Sequence, residues 1–428
     1  GTIGVQERGS ASTVAPAFVG LGDAVCVNCG QCAAVCPVNA IYEREDIHPV
    51  EQAIIDPGKH VVVQTAPAIR AAIGETQGLP PGTLVTSKLV TALKMMGFDA
   101  VFDTNWSADL TILEEGMELL ARLRGALVDQ DDTVALPMMT SCSPGWVKFL
   151  EHFYPGLTGN LSTAKSPQQM LGTVIKTYYA QSRGLQPEDI VVVSVMPCTA
   201  KKFEAARPEM TDSGSRDVDY VVTTRELGRM IRKNGLDFAS LPDGQFDDPL
   251  GQSTGAADIF ASSGGVMEAA LRTVHEVVTS KPVPAQNLHV KDLMGIHGIR
   301  ELELTFTGCL PDYAWLEGVT AKVAATSGLG NARKLMDRVE KGEGGYHFLE
   351  IMACPGGCLG GGGQPRMTTD EVRQARFAAI RAEDEGKPLR KSHENPSIAK
   401  IYEEFFGQPN SHKAHELLHT HYVERSRY

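Results

Sequence analysis

Four cysteines fall within eleven residues, Cys26-x2-Cys29-x2-Cys32-x3-Cys36, and Pro37 follows the last of them. No other feature of the 428-residue chain restricts its chemistry so tightly. Such short spacings let thiolates from one tight loop converge on a single inorganic centre, while the proline turns the fourth cysteine away. Free cysteines packed as small apolar groups would not reproduce every spacing and the proline as well. The run therefore reads as a 4Fe–4S ligand set, with a zinc tetrathiolate as the lesser alternative for the same side chains. Where such runs come in pairs, the fourth cysteine serves the neighbouring cluster. Residues 1–25 hold no cysteine. Either Cys26, Cys29, Cys32 and Cys36 share one cubane, or a companion run lies upstream. Gly1 in place of Met favours the second, an iron–sulfur module truncated at its N-terminus.

Five more cysteines are scattered beyond it, at 142, 198, 309, 354 and 358. Nine in all, an odd number in a long chain, suit metal ligation in a reducing, cytoplasmic setting better than a disulfide framework. The net charge of −12 argues against nucleic acid and anionic membranes as partners. No window approaches 18 uninterrupted apolar residues, and no secretion signal is visible.

After the small, Gly/Ser-rich residues 1–25 and the cysteine module, strands and helices alternate. Lys59–Thr65 (KHVVVQT) is a β-branched run, Thr86–Met96 has helical period with Gly97 as its cap, and Ala100–Phe102 is a short strand. Leu110–Leu123 reads as an amphipathic helix and Val134–Met139 as the next strand. A second series follows: strand Ile190–Met196, Tyr220–Thr223 feeding a helix over Arg225–Asn234, a helix over Gly264–Val278, and strand His347–Met352. Asn234–Gly255 reads as a surface loop, and the tail from Thr368 as charged and mostly helical. The pattern predicts an α/β protein. A small iron–sulfur module over 1–56 precedes a two-lobed domain over 57–428, with parallel or mixed sheets flanked by helices.

Cys142 follows the strand ending at Met139, Cys198 ends VVVSVMPC, Cys354 ends FLEIMAC, and Cys358 lies in CPGGCLGGGGQP. All sit just past carboxyl ends of strands, where open α/β sheets build ligand sites. The Gly360–Gly363 run permits close backbone approach to something bulky. Unrelated core thiols would not all fall in Pro- or Gly-punctuated turns. Cys309 is the exception and reads as a buried thiol.

TSCSPGW (140–146), MPCTAKKFE (196–204) and EIMACPGGCLGGGGQP (350–365) resemble the three diagnostic segments of the FeFe hydrogenases. APAIRAAIGE (66–75), TTRELGRMI (223–231) and SGGVMEAALR (263–272) extend the likeness, which runs from about Cys26 to the C-terminus. The resemblance implies a ferredoxin-like module and an H-cluster, meaning a 4Fe–4S cubane joined through a cysteine sulfur to a diiron unit with CO, cyanide and an azadithiolate. Carried over residue by residue, Cys198 and Cys354 ligate the cubane, Cys358 bridges it to the diiron unit, and Lys201 donates to a cyanide. Ala66, Pro67, Gln168, Met196 and Met352 wall the pocket. The family usually has two adjacent cysteines where this chain has Cys142 and Ser143. The first exchanges protons and the second ligates the cubane, so Ser143 is expected to hold the ligand position.

Glu115, Glu118 and Arg122 share one face of the Leu110–Leu123 helix. Taken alone, that is an ordinary solvated face. The resemblance implies a proton path instead, in the order Cys142, Glu115, Ser162, Glu118, Arg122. It further implies reversible interconversion of H2 with protons and electrons, a diiron unit installed by maturation proteins, and electrons exchanged with ferredoxin or partner subunits. No nucleotide fingerprint is present, so if pyridine nucleotide is the ultimate partner, another, NAD-binding subunit must bind it. GTIGVQERG with the serine substitution resembles catalytic subunits of multimeric, NAD-linked or electron-bifurcating hydrogenases. Two other readings stay open: an H2 sensor of the same fold, and an iron–sulfur assembly factor without the diiron unit.

Overall fold

A computed structural model describes residues 2–16, 19–283 and 298–426. The chain opens with an antiparallel hairpin of β1 (Ile3–Gln6) and β2 (Thr13–Pro16), where no regular element is predicted. The cysteine run follows as a loop with a five-residue helix, Gln31–Val35.

Two four-stranded sheets carry the remainder. The first is fully parallel, in the order β4 (Ala100–Asp103), β3 (His60–Thr65), β6 (Ile190–Met196), β7 (Tyr220–Thr223). Its Val-rich strands are buried on both faces, as helices covering both sides of a parallel sheet require. The second is mixed, in the order β5 (Met138–Met139), β10 (Phe348–Met352), β9 (Thr320–Ser327), β8 (Ile299–Thr305). Only β8 runs antiparallel, at the edge. Along β10 the side chains alternate between two cores: Phe348 and Met352 enter one, Leu349 and Ile351 the other. Parallel and mixed sheets with flanking helices are thus both present.

Helix α1 (Thr104–Arg124) joins the lobes. Trp106 and Leu110 belong to the core of the first sheet, whereas Ile112, Leu120 and Leu123 belong to that of the second. It begins six residues before the predicted start. Thr104–Asp109 has weak helical propensity, but the Asp103 carboxylate accepts the Asn105 N–H and burial does the rest. The strand predicted over Val134–Met139 shrinks to two residues, because Pro137 offers no N–H to a ladder. The loop 234–255 is irregular, yet it buries Phe238, Leu241 and Leu250. Among the described residues no helix is long and apolar enough to cross a membrane.

Candidate active site and metal centre

The ends of β3, β5, β6 and β10 deliver their residues to one cavity of about 760 Å³, its open mouth included. Ala66 and Pro67 follow β3, Cys142 and Ser143 follow β5, Met196 and Cys198 close β6, and Met352, Cys354 and Cys358 follow β10. Gln168 and Lys201 complete the predicted set, and all of these line the space. Gly357, within the third diagnostic segment, lines it too, as do Thr104 and Phe260, which no sequence signal announced. So does Cys29, which places the cysteine run directly against this cavity.

Backbone crowding shapes the floor. A Cβ on Gly361 would collide with the Pro197 carbonyl oxygen, and one on Gly362 with that of Cys29. The glycine segment is thus wedged between the strand ends and the cysteine run, which only glycine permits.

Burial dominates the electrostatics. It pushes the Cys142 thiol well above its ordinary range, with Glu115 adding to the rise and Lys201 opposing it. Burial likewise raises Cys198 to about 12, Cys358 to about 11, and Cys354 as well. Cys358 acts on Cys198, and Cys198 on Cys354, so the three thiols share one low-dielectric space. Lys201 is the fixed cation among them. Its Nζ donates to the Cys142 carbonyl oxygen at 3.1 Å and to Glu204 at 2.8 Å. Ser166 and Gln168 also donate to Glu204, at 2.9 and 3.0 Å. Glu204 falls one helical turn after Lys201, a spacing that could have marked it. Ser143 Oγ accepts the Ala353 N–H at 3.2 Å.

From Cys142 a polar line runs outward. Glu115 is 3% exposed, and burial, reinforced by Glu118, raises its carboxyl to about 8. Ser162 bonds to Glu115 and donates to Glu118 at 2.8 Å. Arg122 closes on Glu118 at 2.6 Å. The carboxylates predicted to share a helix face therefore do so, but on a buried face. Glu350, not singled out by sequence, lies close enough to act on Cys142, Cys358 and Glu115; burial raises it to about 7 against donation from the Met267 and Gly264 N–H groups.

In the cysteine run, Cys29 is influenced by Cys26 and Cys32. Cys36 is governed instead by backbone N–H groups of Ile41, Val38 and Ala40, which lower it, and by Arg366. Cys26 and Cys32 border a second cavity with Lys148 and Lys202. Tetrahedral zinc holds its sulfurs roughly 3.8 Å apart. Among the described residues, the one group of three or more ligand atoms within 4.8 Å of one another is Glu276, His393 and Glu394. The thiols are spread more widely than zinc would place them. Cys309 departs from expectation: it is half-buried beside Glu317, in the loop after β8, and not a core thiol.

The donor set fits an iron–sulfur cofactor of the predicted kind. Soft thiols converge from separate strand ends, a fixed ammonium faces them, and glycines leave the backbone bare.

Comparison with known proteins agrees. The model for the iron only hydrogenase large subunit, C-terminal domain, matches residues 59–362; that for the iron hydrogenase small subunit matches 370–425, and a 4Fe-4S binding domain matches 23–42. The chain is 52% identical to the NADP-reducing hydrogenase subunit HndD of Solidesulfovibrio fructosivorans, over all of this chain and 71% of that protein. Protein NAR1 of Arabidopsis thaliana is 32% identical over 95% of this chain and 86% of its own length. A point variant of the apo FeFe hydrogenase HydA1 from Chlamydomonas reinhardtii superposes with a TM-score of 0.79 at 44% identity, covering 89% of this chain and 99% of that one.

Proposed function

The chain belongs to the iron-only hydrogenase family, and on that premise we propose how its residues divide the work of interconverting H2 with protons and electrons. The carrying observation is the convergence of Cys142, Ser143, Cys198, Cys354, Cys358 and Lys201 on one cavity. In this reading Cys198, Cys354 and Ser143 hold the cubane and Cys358 joins it to the diiron unit. Lys201 supplies the charge-assisted hydrogen bond that fixes an anionic ligand. Ala66, Pro67, Gln168, Met196 and Met352 exclude water. When bound, the six-iron H-cluster supplies the making and breaking of H2 and the exchange of two electrons.

The protein's own part is proton and electron traffic. Cys142 stays a neutral thiol, so its Sγ can hand over a proton and recover it. Glu115, neutral below about pH 8, is the next carrier. Ser162 bridges to Glu118 with a hydroxyl that donates on one side as it accepts on the other. Arg122 holds the outer carboxylate in place. Cys26, Cys29 and Cys32 would hold an accessory 4Fe–4S cluster, which would supply electron transfer. Cys36, turned into its own N–H nest, serves a neighbouring cluster or closes this one.

The domain division at 56/57, a cytoplasmic setting, and exchange with ferredoxin or with electron-transfer subunits, one of them NAD-binding, complete the proposal. HndD by its name is one subunit of an NADP-reducing enzyme. The exposed Val35, Val38 and Tyr42 beside Cys36 suit coverage by an electron-transfer partner. The decisive experiment is infrared spectroscopy with H2 turnover on matured protein. Bands of CO and cyanide on iron with rapid turnover are expected. Iron–sulfur absorption without those bands would mark an assembly factor, and the bands with slow turnover a sensor.

A further inference from the structure

Arg122 cannot be where protons meet water. Its Nε and Nη2 donate to Glu118, its Nη1 to the carbonyls of Ala135 and Gly159, and Nη2 also to Leu161. A guanidinium only donates, and these donors are already committed to oxygen partners. It clamps Glu118 and does not relay. Another group must exchange protons with solvent, and it must lie near Glu118, whose side chain is 10% exposed.

The C-terminal tail supplies one. Residues 418–420 are laced along 163–165: Lys165 N–H donates to Leu418, Thr420 N–H donates to Thr163, and Ala164 pairs with His419. His419 is buried with both ring nitrogens engaged, Nδ1 with Thr163 Oγ1 at 2.7 Å and Nε2 with Glu114 at 3.1 Å. Thr163 N–H in turn donates to both carboxylate oxygens of Glu118, at 3.2 and 3.0 Å. One turn earlier His415 is exposed, its ring centroid 4.1 Å from that of His419. Partial burial and the neighbouring His419 and His412 lower His415, while Glu114 and Glu118 raise it; the balance is below the ordinary histidine range. Tyr422, also on the tail, is held far above the working range by burial and cannot serve.

We propose that His415 is the surface proton-exchange residue of this enzyme, loading Glu118 from solvent and discharging it again. It acts through Glu118 and touches neither cofactor nor substrate. In H2 formation the imidazolium N–H bond breaks, the proton passes through water, and an O–H bond forms on Glu118. The neutral ring then takes a proton from buffer; in H2 oxidation the same transfers run backwards. The inference rests on the proton path proposed above.

The test is H2 evolution by matured His415→Gln and His415→Ala enzymes with saturating reduced dye, in dilute phosphate with and without added imidazole. About a tenfold loss is expected in dilute buffer, less than the hundredfold or more of a group at the chemical step, because water and buffer still reach Glu118 more slowly. The dye KM should not change, and imidazole should restore turnover. Full turnover in dilute buffer, or a loss that imidazole does not relieve, overturns the proposal. Glu115→Gln, assayed alongside, separates the two readings. If it is inactive in every buffer while His415→Gln behaves as wild type, only the role of His415 fails. If Glu115→Gln turns over normally, the path itself fails.

Discussion

Lys201 donates to the carbonyl oxygen of Cys142 at 3.1 Å, so the cation of the cavity is tied to the backbone of the thiol proposed as the first proton carrier. The same ammonium satisfies Glu204. Lys201→Met leaves that carboxylate buried with only neutral donors, Ser166 and Gln168. Removing one partner of a buried pair costs about 3 kcal/mol. Denaturant unfolding of the apoprotein should show that loss, and Lys201→Arg should recover part of it.

Ser143 presents an oxygen where sulfur is the better iron ligand. Its Oγ already accepts the Ala353 N–H, which leaves a lone pair facing the cavity. Ser143→Cys is therefore expected to shift the midpoint potential of the cubane in a redox titration, with Cys198, Cys354 and Cys358 unchanged as ligands. An unmoved potential would mean that Ser143 does not reach iron.

Glu115→Gln keeps the shape of the neutral acid and removes its proton chemistry. Turnover should fall about a hundredfold or more while iron content stays the same. The pH dependence of stability carries a second sign. In the folded state this carboxyl is raised from 4.5 to about 8. As pH climbs past 4.5 the unfolded chain ionises first, so stability is full below that pH and is lost progressively up to about 8. The glutamine has no such penalty. It should match wild type near pH 4.5 and exceed it above pH 8, by on the order of a few kcal/mol in unfolding experiments.

One guanidinium fastens the cysteine module to the glycine floor. Arg225 donates to Glu43 at 2.6 Å and to the carbonyls of Gly362 and Gln364, each at 2.7 Å. Arg225→Ala should slow dye-linked turnover several-fold while H2/D2 exchange, which needs no external electrons, persists. Equal losses in both assays would show that the variant harms the catalytic cavity itself.

The parallel sheet was legible because Val-rich runs such as Ile190–Met196 announce doubly buried strands, and their ends announced where the cysteines would meet. Strands β8 and β9 went unread. The alternation of IRELELT is that of a half-exposed edge, and TAKVAATS is too rich in alanine to signal a strand, so pairing and burial decide both. The helix face bearing Glu115 and Glu118 has the spacing of a solvated surface, and only the second lobe folding over it makes those carboxylates buried. Long-range partners were equally hidden. Nothing local in Thr163 or His419 foretells that a residue 256 positions away will hold it.

Gly362 stands against the carbonyl of Cys29 with no room for a methyl group. The cysteine run and the glycine floor of the catalytic cavity accordingly meet main chain to main chain. Electron tunnelling falls off steeply with every added ångström, so this close contact would keep short the hop from a cluster held by Cys29. Any larger residue at that point would push back the main chain of Cys29 and lengthen that hop.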